Sequence, residues 1–311
     1  MHRPEELPVA LQSAAFSVRE GEAGGLTRKR MRAADLQRPY FGVRRWGCDD
    51  GDVLERCRAY APLLRAGDVF SHATAALLWG APLPMRLEAD ATLHVMAIDG
   101  ATRPRSAGVS GHTAGDRAIR VRSRHSLPVV DPVSAWLQLA PLIGLDDLVA
   151  MGDYLVLTPR RQKRQDPRPY TSRAELESRL RAFRGRGKRN AVEALQLIRD
   201  GAESPRETRL RLRLVRNGLP EPELNVEIKD ERGLRIGFGD LVYSSHKVLV
   251  EYEGEQHRTD STQFYRDIER HERLARAQWI LIRESKETPL TGPRSTCART
   301  RHALLSRGAR L

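Results

Sequence analysis

The chain has 311 residues, 40% of them hydrophobic and 30% charged, which is enough for two domains that each bury a core and too apolar for intrinsic disorder. A formal charge of +13 favours a polyanionic partner, nucleic acid first, because each neutralised phosphate releases condensed counterions. Only six of the 53 basic residues are lysine, so an arginine-rich composition is the competing source of that charge.

No uninterrupted apolar run is long enough to span a bilayer; residues 135–157 come nearest, and Asp146, Asp147 and Asp153 break them. The first residues lack a basic-then-apolar leader, so the expectation is a cytoplasmic protein with no membrane association. Cys48, Cys57 and Cys297 show neither paired spacing nor a neighbouring histidine and read as free thiols.

Along the chain, Ser17 is placed to cap a short helix over residues 17–23, Gly24-Gly25 to turn, and Thr27 to cap a second helix through Ala34. Arg28, Lys29, Arg30 and Arg32 lie on that second helix, where a groove-reading helix carries its contacts to DNA. Residues 40–46 then read as the strand of a wing, although a solvated basic face explains the same four side chains equally well. Ser71 opens a helix, SHATAALLWG, ended by Gly80, with His72 read as a helix-start residue holding a neighbouring backbone group. Strand-like pieces (HVMAI, AIRVRSR) follow among turns, and residues 131–156 read as two amphipathic helices. Residues 159–170, PRRQKRQDPRPY, are rich in proline and basic side chains and read as a connector, followed by bridging helices over residues 174–183 and 191–198. The expected partition is therefore 1–158, a linker at 159–203, and 204–311.

Residues 204–283 read as helix, three strands, helix, strand. Ser204-Pro205-Arg206-Glu207 matches a helix start with proline at its first position, and Asn217-Gly218 ends that helix. Strands follow over residues 224–229, 234–243 and 247–253, then a helix begun by Asp260 and a short apolar strand at 279–283. Alternation along the third strand sends Glu251 and Glu253 to one face, and a short antiparallel connection brings Asp240 beside them. Like charges gathered on a half-buried face repel, and a hard divalent ion, Mg²⁺ or Mn²⁺, removes that penalty. Such an ion also activates water toward a phosphodiester. Asp240 and Glu251 are the expected ligands, Glu207 an assisting acid or simply a capping residue, and His257 a group that orients water or protonates a leaving oxygen. Glu253 assists or pairs with Arg258, and Arg270 and Arg283 are available to phosphate, Arg270 also reading as part of a salt-bridged helix face with Asp267 and Arg273.

Taken in order, Ser204-Pro205-x-Glu207-Thr208, Gly218-Leu219-Pro220, Gly239-Asp240-Leu241, Glu251-Tyr252-Glu253-Gly254-x-x-His257, Asp267-x-x-Arg270 and Trp279-x-x-x-Arg283 resemble the very-short-patch-repair-like endonuclease domain of the PD-(D/E)XK superfamily. The resemblance implies a mixed α/β (α+β) fold with a restriction-endonuclease-like αβββαβ core. It assigns Asp240 and Glu251 to the metal-binding acids, Glu207 to the first-helix acid and His257 to the histidine after the glycine. Glu253 stands where the superfamily usually has lysine, a position at which the short-patch-repair branch also departs. Gly25-Leu26-Thr27, Pro39-x-x-Gly42-Val43 and Ser71-His72-x-Thr74-Ala75-Ala76-x-x-x-Gly80 resemble winged-helix antitoxins of the AbiEi kind. Together these imply either a Mg²⁺-dependent DNA endonuclease delivered by a winged helix, or a non-catalytic DNA-binding regulator with a degenerate nuclease fold. A toxin or repair protein is an implied partner whose identity is open.

Overall fold

A computed structural model gives the fold and describes residues 5–12, 14–47, 51–98, 102–114, 119–253 and 261–311, the side chains of 261–266 excepted. Helices and three sheets alternate in a mixed α+β chain. It divides into two compact units, Met1–Leu148 with Arg173–Glu193, and Val149–Ser172 with Ala194–Leu311. The expected partition differs: residues 159–172 fold with the C-terminal unit rather than standing apart as a linker. Aromatic faces are the reason, since Arg168 lies 3.9 Å from the Tyr154 ring and Arg160 4.2 Å from the Phe238 ring. Among the described residues no helix is long and apolar enough to cross a membrane.

The N-terminal unit contains α1 (Val9–Gln12), β1 (Phe16–Ser17), α2 (Val18–Ala23), β2 (Leu36–Gln37), β3 (Val43–Trp46), α3 (Val53–Tyr60), β4 (Asp68–Phe70), α4 (His72–Leu78) and α5 (Met85–Glu88). It continues with β5 (Leu93–Ala97), β6 (Val109–Thr113), β7 (Val121–Arg124), β8 (Leu127–Val130) and α6 (Pro132–Leu139). Helix α7 (Leu145–Val156) starts in this unit, α8 (Arg173–Ala182) returns to it, and α9 (Lys188–Leu197) leaves it. Strands β1, β3 and β2 form a small antiparallel sheet, and a five-stranded sheet runs β6-β5-β4-β8-β7. Ser17 caps α2 as expected, with Glu20 closing a reciprocal capping box.

The second N-terminal helix is not formed. Thr27 Oγ1 accepts the Arg30 N–H at 3.1 Å, but only one 3-10 turn, Arg30–Arg32, follows. Arg30 and Met31 are buried there, and the Arg30 guanidinium binds both oxygens of Asp35 and the Glu5 carbonyl. These contacts bury Arg30 against Asp35 and the Glu5 carbonyl instead of presenting it to a groove, which corrects the reading of Arg30 as a DNA contact. Arg30→Ala is expected to lower stability by about 1–3 kcal/mol, since it leaves Asp35 without its partner. Arg28→Ala, whose side chain is 82% exposed, should change it by under ~0.5 kcal/mol. Urea melts of the two variants distinguish these roles.

In the C-terminal unit α10 (Pro205–Arg216) precedes β9 (Glu223–Lys229), β10 (Arg235–Tyr243) and β11 (Val248–Tyr252); then come α11 (Ser261–Arg276), β12 (Ile280–Glu284) and α12 (Thr296–Ser306). The sheet order is β12-β11-β10-β9, with β11 and β12 parallel and the other pairs antiparallel. Side chains of opposite parity fill two cores. Leu241, Val248 and Val250 pack with Leu210 and Leu214 of α10 and Leu304 of α12, while Val242 and Leu249 pack with Leu274 of α11. The sheet thus lies between α10 and α12 on one face and α11 on the other, and an αβββαβ series with an added C-terminal helix results. Cys57 and Cys297 are buried free thiols, and burial pushes Cys57 up to about 12, so it is inert; Cys48 lies outside the described residues.

Candidate functional site

Strand register brings the acids together. Leu241 pairs with Val250 across β10 and β11, so one step further along the antiparallel ladder Asp240 stands opposite Glu251. Both belong to the α11 face, in phase with Val242 and Leu249. Asp240 Oδ2 accepts the Tyr252 N–H at 3.2 Å. Burial first, then the charges of Glu207 and Glu251, lift the Asp240 carboxyl from 3.8 to about 7. Among the described residues no arginine or lysine forms an ion pair with Asp240.

Glu207 enters from the first turn of α10, where it is 9% exposed. Ser204 caps the helix through the Glu207 N–H at 3.2 Å, and Glu207 Oε2 accepts the Glu203 N–H at 2.9 Å and Asn225 Nδ2–H at 3.3 Å. Burial raises its pKa. The cap is made by Ser204 through the Glu207 backbone N–H, and the Glu207 carboxylate instead holds the Glu203 N–H and Asn225 and acts on Asp240.

Glu251 is different. Arg270, reaching down from α11, grips both Glu251 oxygens and donates to the Phe238 carbonyl at 2.9 Å. The sequence leaves Arg270 available to phosphate; the structure corrects this, because its guanidinium is spent inside the site. A glycine leaves room for the reach: a Cβ at Gly237 would lie 2.9 Å from Arg270 Nε. Glu253 sits past the end of β11 and pairs with Arg283 Nη1 at 3.7 Å. Arg283 faces Glu251 across the parallel β11–β12 pair and contacts His271 Nδ1 at 2.8 Å. His257 and Arg258 lie outside the described residues.

Sequence reasoning passed over three neighbours of this site. His271 follows Arg270 on α11; burial and then the Arg283 charge lower its pKa, which leaves a neutral imidazole beside Glu251. Asn225, in a left-handed conformation at φ 49°, supplies the amide on Glu207. Arg160, read as a connector residue, lies on Phe238, two positions before Asp240. Only the spacing of His271 to Arg270 offered a signal, and it is common on helices.

Whether a divalent ion fits is decided by charge and spacing. Asp240 feels the charges of Glu207 and Glu251 and, among the described residues, forms no ion pair of its own, which suits a hard cation. Arg270 already holds Glu251, so an ion at Asp240 competes with that guanidinium. Among the described residues, the one group of three or more His, Cys, Asp or Glu whose ligand atoms lie within 4.8 Å of one another is elsewhere: His72, His94 and His112 of the N-terminal unit. Burial first, then the neighbouring imidazoles, lower His72 to about 3, and burial lowers His112 to about 4. His72 thus does not serve as a simple helix-start residue; its Nδ1 lies 3.0 Å from Ser71 Oγ and its ring stacks on His112.

No family model matches the chain. Over 254 residues it is 26% identical to uncharacterized proteins MT2308 and Rv2248 of Mycobacterium tuberculosis, from strains CDC 1551 / Oshkosh and ATCC 25618 / H37Rv. The match covers 79% of this chain and 84% of each relative, and neither name states an activity.

Proposed function

We propose that the C-terminal unit is a Mg²⁺- or Mn²⁺-dependent DNA endonuclease in the manner of the very-short-patch-repair-like domains its motifs resemble. One observation carries this reading: Asp240 and Glu251 are opposed on neighbouring strands, with Glu207 near enough to raise the Asp240 pKa. A bound divalent ion would supply Lewis-acid activation of water and charge stabilisation at phosphorus. Asp240 and Glu251 would hold it, and Glu207 would position water through the oxygen not engaged by Asn225 and the Glu203 N–H. His271, whose Nδ1 accepts from Arg283, is placed to give a proton from Nε2 near Glu251, and Arg160 and Arg283 to meet backbone phosphates. A net charge of +13 would draw the chain to DNA from a distance. Its compartment would be the cytoplasm, where DNA is met.

A specific observation favours a second reading. The bidentate Arg270–Glu251 pair neutralises one ligand from within, as expected of a nuclease fold that has kept DNA binding and lost chemistry, a regulator of the antitoxin kind. Plasmid nicking by pure protein separates the two. Cleavage with Mg²⁺ or Mn²⁺ that stops in EDTA supports the enzyme; no cleavage with either ion, together with tight binding that weakens steeply with salt, supports the regulator.

The Asp240 carboxyl adds a pH signature. Its folded pKa of about 7 lies above the ordinary 3.8, so the metal-free folded state holds that proton more tightly than the unfolded chain does. The resulting stabilisation is complete below 3.8 and disappears as pH rises through about 7. Mg²⁺ should therefore raise Tm little at about pH 5 and clearly at about pH 8, and Asp240→Asn should abolish that contrast. Equal Mg²⁺ shifts at both pH values would place the ion elsewhere.

A further inference from the structure

Three histidines from separate segments of the N-terminal unit converge. His72 opens α4, His94 lies on β5 and His112 on β6. Ring centroids of His72 and His112 are 3.9 Å apart, those of His94 and His112 5.2 Å, and those of His72 and His94 5.6 Å. His94 Nδ1 and His112 Nε2 approach to 2.9 Å. The chain has nine histidines in 311 residues, so the meeting of three at one point calls for a cause beyond composition.

The surrounding backbone fixes this meeting. Ser71 N–H donates to the His94 carbonyl at 3.0 Å, and His94 N–H donates to Thr74 Oγ1 at 2.8 Å, so the start of α4 is clamped to β5 on both sides of His72. His72 N–H is taken by Gln138 Oε1 at 2.8 Å. His72 itself adopts φ 50°, a left-handed conformation uncommon for a residue with a Cβ, and it is this conformation that turns the ring toward the other two. On the parallel β5–β6 pair, His94 faces Ser110 and Met96 faces His112, which sets the two strand imidazoles on one face, two residues out of step.

We propose that His72, His94 and His112 form a binding site for one borderline divalent transition ion, of which Zn²⁺ is the ordinary example. Three imidazoles with no carboxylate among them suit Zn²⁺, Ni²⁺ or Cu²⁺ and not Mg²⁺ or Ca²⁺, which take oxygen ligands. His72 Nδ1 engages Ser71 Oγ at 3.0 Å, which leaves Nε2 as its ligand atom and gives it the outer partner that metal-bound histidines usually have. His94 Nδ1 and His112 Nε2 are the other two. Seating the ion requires these nitrogens to part from 2.9 Å to about 3.3 Å, the edge of a tetrahedron with ~2.0–2.1 Å bonds, and the near-parallel rings to pivot about χ2. The hydrogen between them then moves to the outer nitrogen of its own ring, so the exchange needs no net loss of a proton. Among the described residues no fourth His, Cys or carboxylate joins the group, and all three rings are half-buried, so water takes the fourth position. A purely hydrogen-bonded histidine cluster explains less, because the 94–112 contact is the only ring-to-ring hydrogen bond of the three among the described residues.

The test uses the full chain without a histidine tag, stripped with chelator, then loaded with Zn²⁺ in excess Mg²⁺ and desalted before elemental analysis. One retained equivalent is expected. His94→Gln and His112→Gln should each weaken Zn²⁺ by more than the ~10–100-fold that loss of an outer partner causes. Asp240→Asn should keep the full equivalent, so failure of this site and failure of the nuclease reading are told apart. Should the histidine variants misfold, electron paramagnetic resonance of Cu²⁺ bound to the wild-type chain decides: coupling to several imidazole nitrogens is expected. No retained Zn²⁺, retention undiminished in both folded histidine variants, or Cu²⁺ with oxygen ligands alone would overturn the proposal.

Discussion

Asp240→Asn is expected to reduce metal-dependent DNA cleavage by about 10³-fold or more, equivalent to about 4 kcal/mol of lost transition-state stabilisation. The substitution keeps size and the oxygen that accepts the Tyr252 N–H, while it removes the charge that an ion would bind. It also removes a carboxyl that burial, and then the charges of Glu207 and Glu251, lift to about 7, so the folded state should lose no stability at neutral pH. Glu251→Gln provides the contrast. There the Arg270 guanidinium, 22% exposed at its side chain, loses its partner, so activity and stability should fall together. Single-turnover cleavage rates beside thermal melts of both variants check this. A wild-type chain inert with Mg²⁺ and Mn²⁺, or an Asp240→Asn variant as active as wild type, would remove the enzymatic reading.

Arg211→Ala is expected to give the largest loss of stability in the C-terminal unit, about 3–5 kcal/mol. Arg211 and Asp153 are each 1% exposed and pair at 3.1 Å. Asp153 also accepts Thr208 Oγ1–H at 2.9 Å and the Arg199 N–H at 2.7 Å, and Arg211 donates to the Leu197 carbonyl at 2.8 Å. Burial lifts Asp153 to about 6 in spite of that arginine, which shows how strongly this interior disfavours a lone carboxylate. Removing the cation leaves Asp153 with neutral donors only. The double replacement Arg211→Met, Asp153→Leu should recover most of the loss, because a buried pair exchanged for apolar groups of similar volume is close to neutral. Urea titrations give both values; a loss under ~1 kcal/mol in Arg211→Ala would mean that water reaches Asp153.

Some of this architecture is legible in short stretches. Ser17, and Ser204 with proline behind it, announce helix starts, and the structure has both caps. The alternation of residues 223–252 yields three strands whose ends fall within a residue or two of the expected ones. Other elements left no such mark. Strand β6 is a run of small and polar residues, VSGHT, held at the sheet edge by its pairing with β5 rather than by its own propensity. The helix expected after Thr27 has basic residues in plenty, yet burial of Arg30 against Asp35 closes it into one turn.

By itself, the sequence determined the order of helices and strands over residues 204–283, the shared face of Asp240 and Glu251, and the net positive charge. These depend on local periodicity and summed charge, which a chain carries without folding. Tertiary structure alone decided that Arg270 crosses 19 positions to hold Glu251, and that His72 meets His94 and His112. Such pairings follow from strand register and helix docking, where partners far apart in the chain compete for the same side chain, and no local pattern records which one wins.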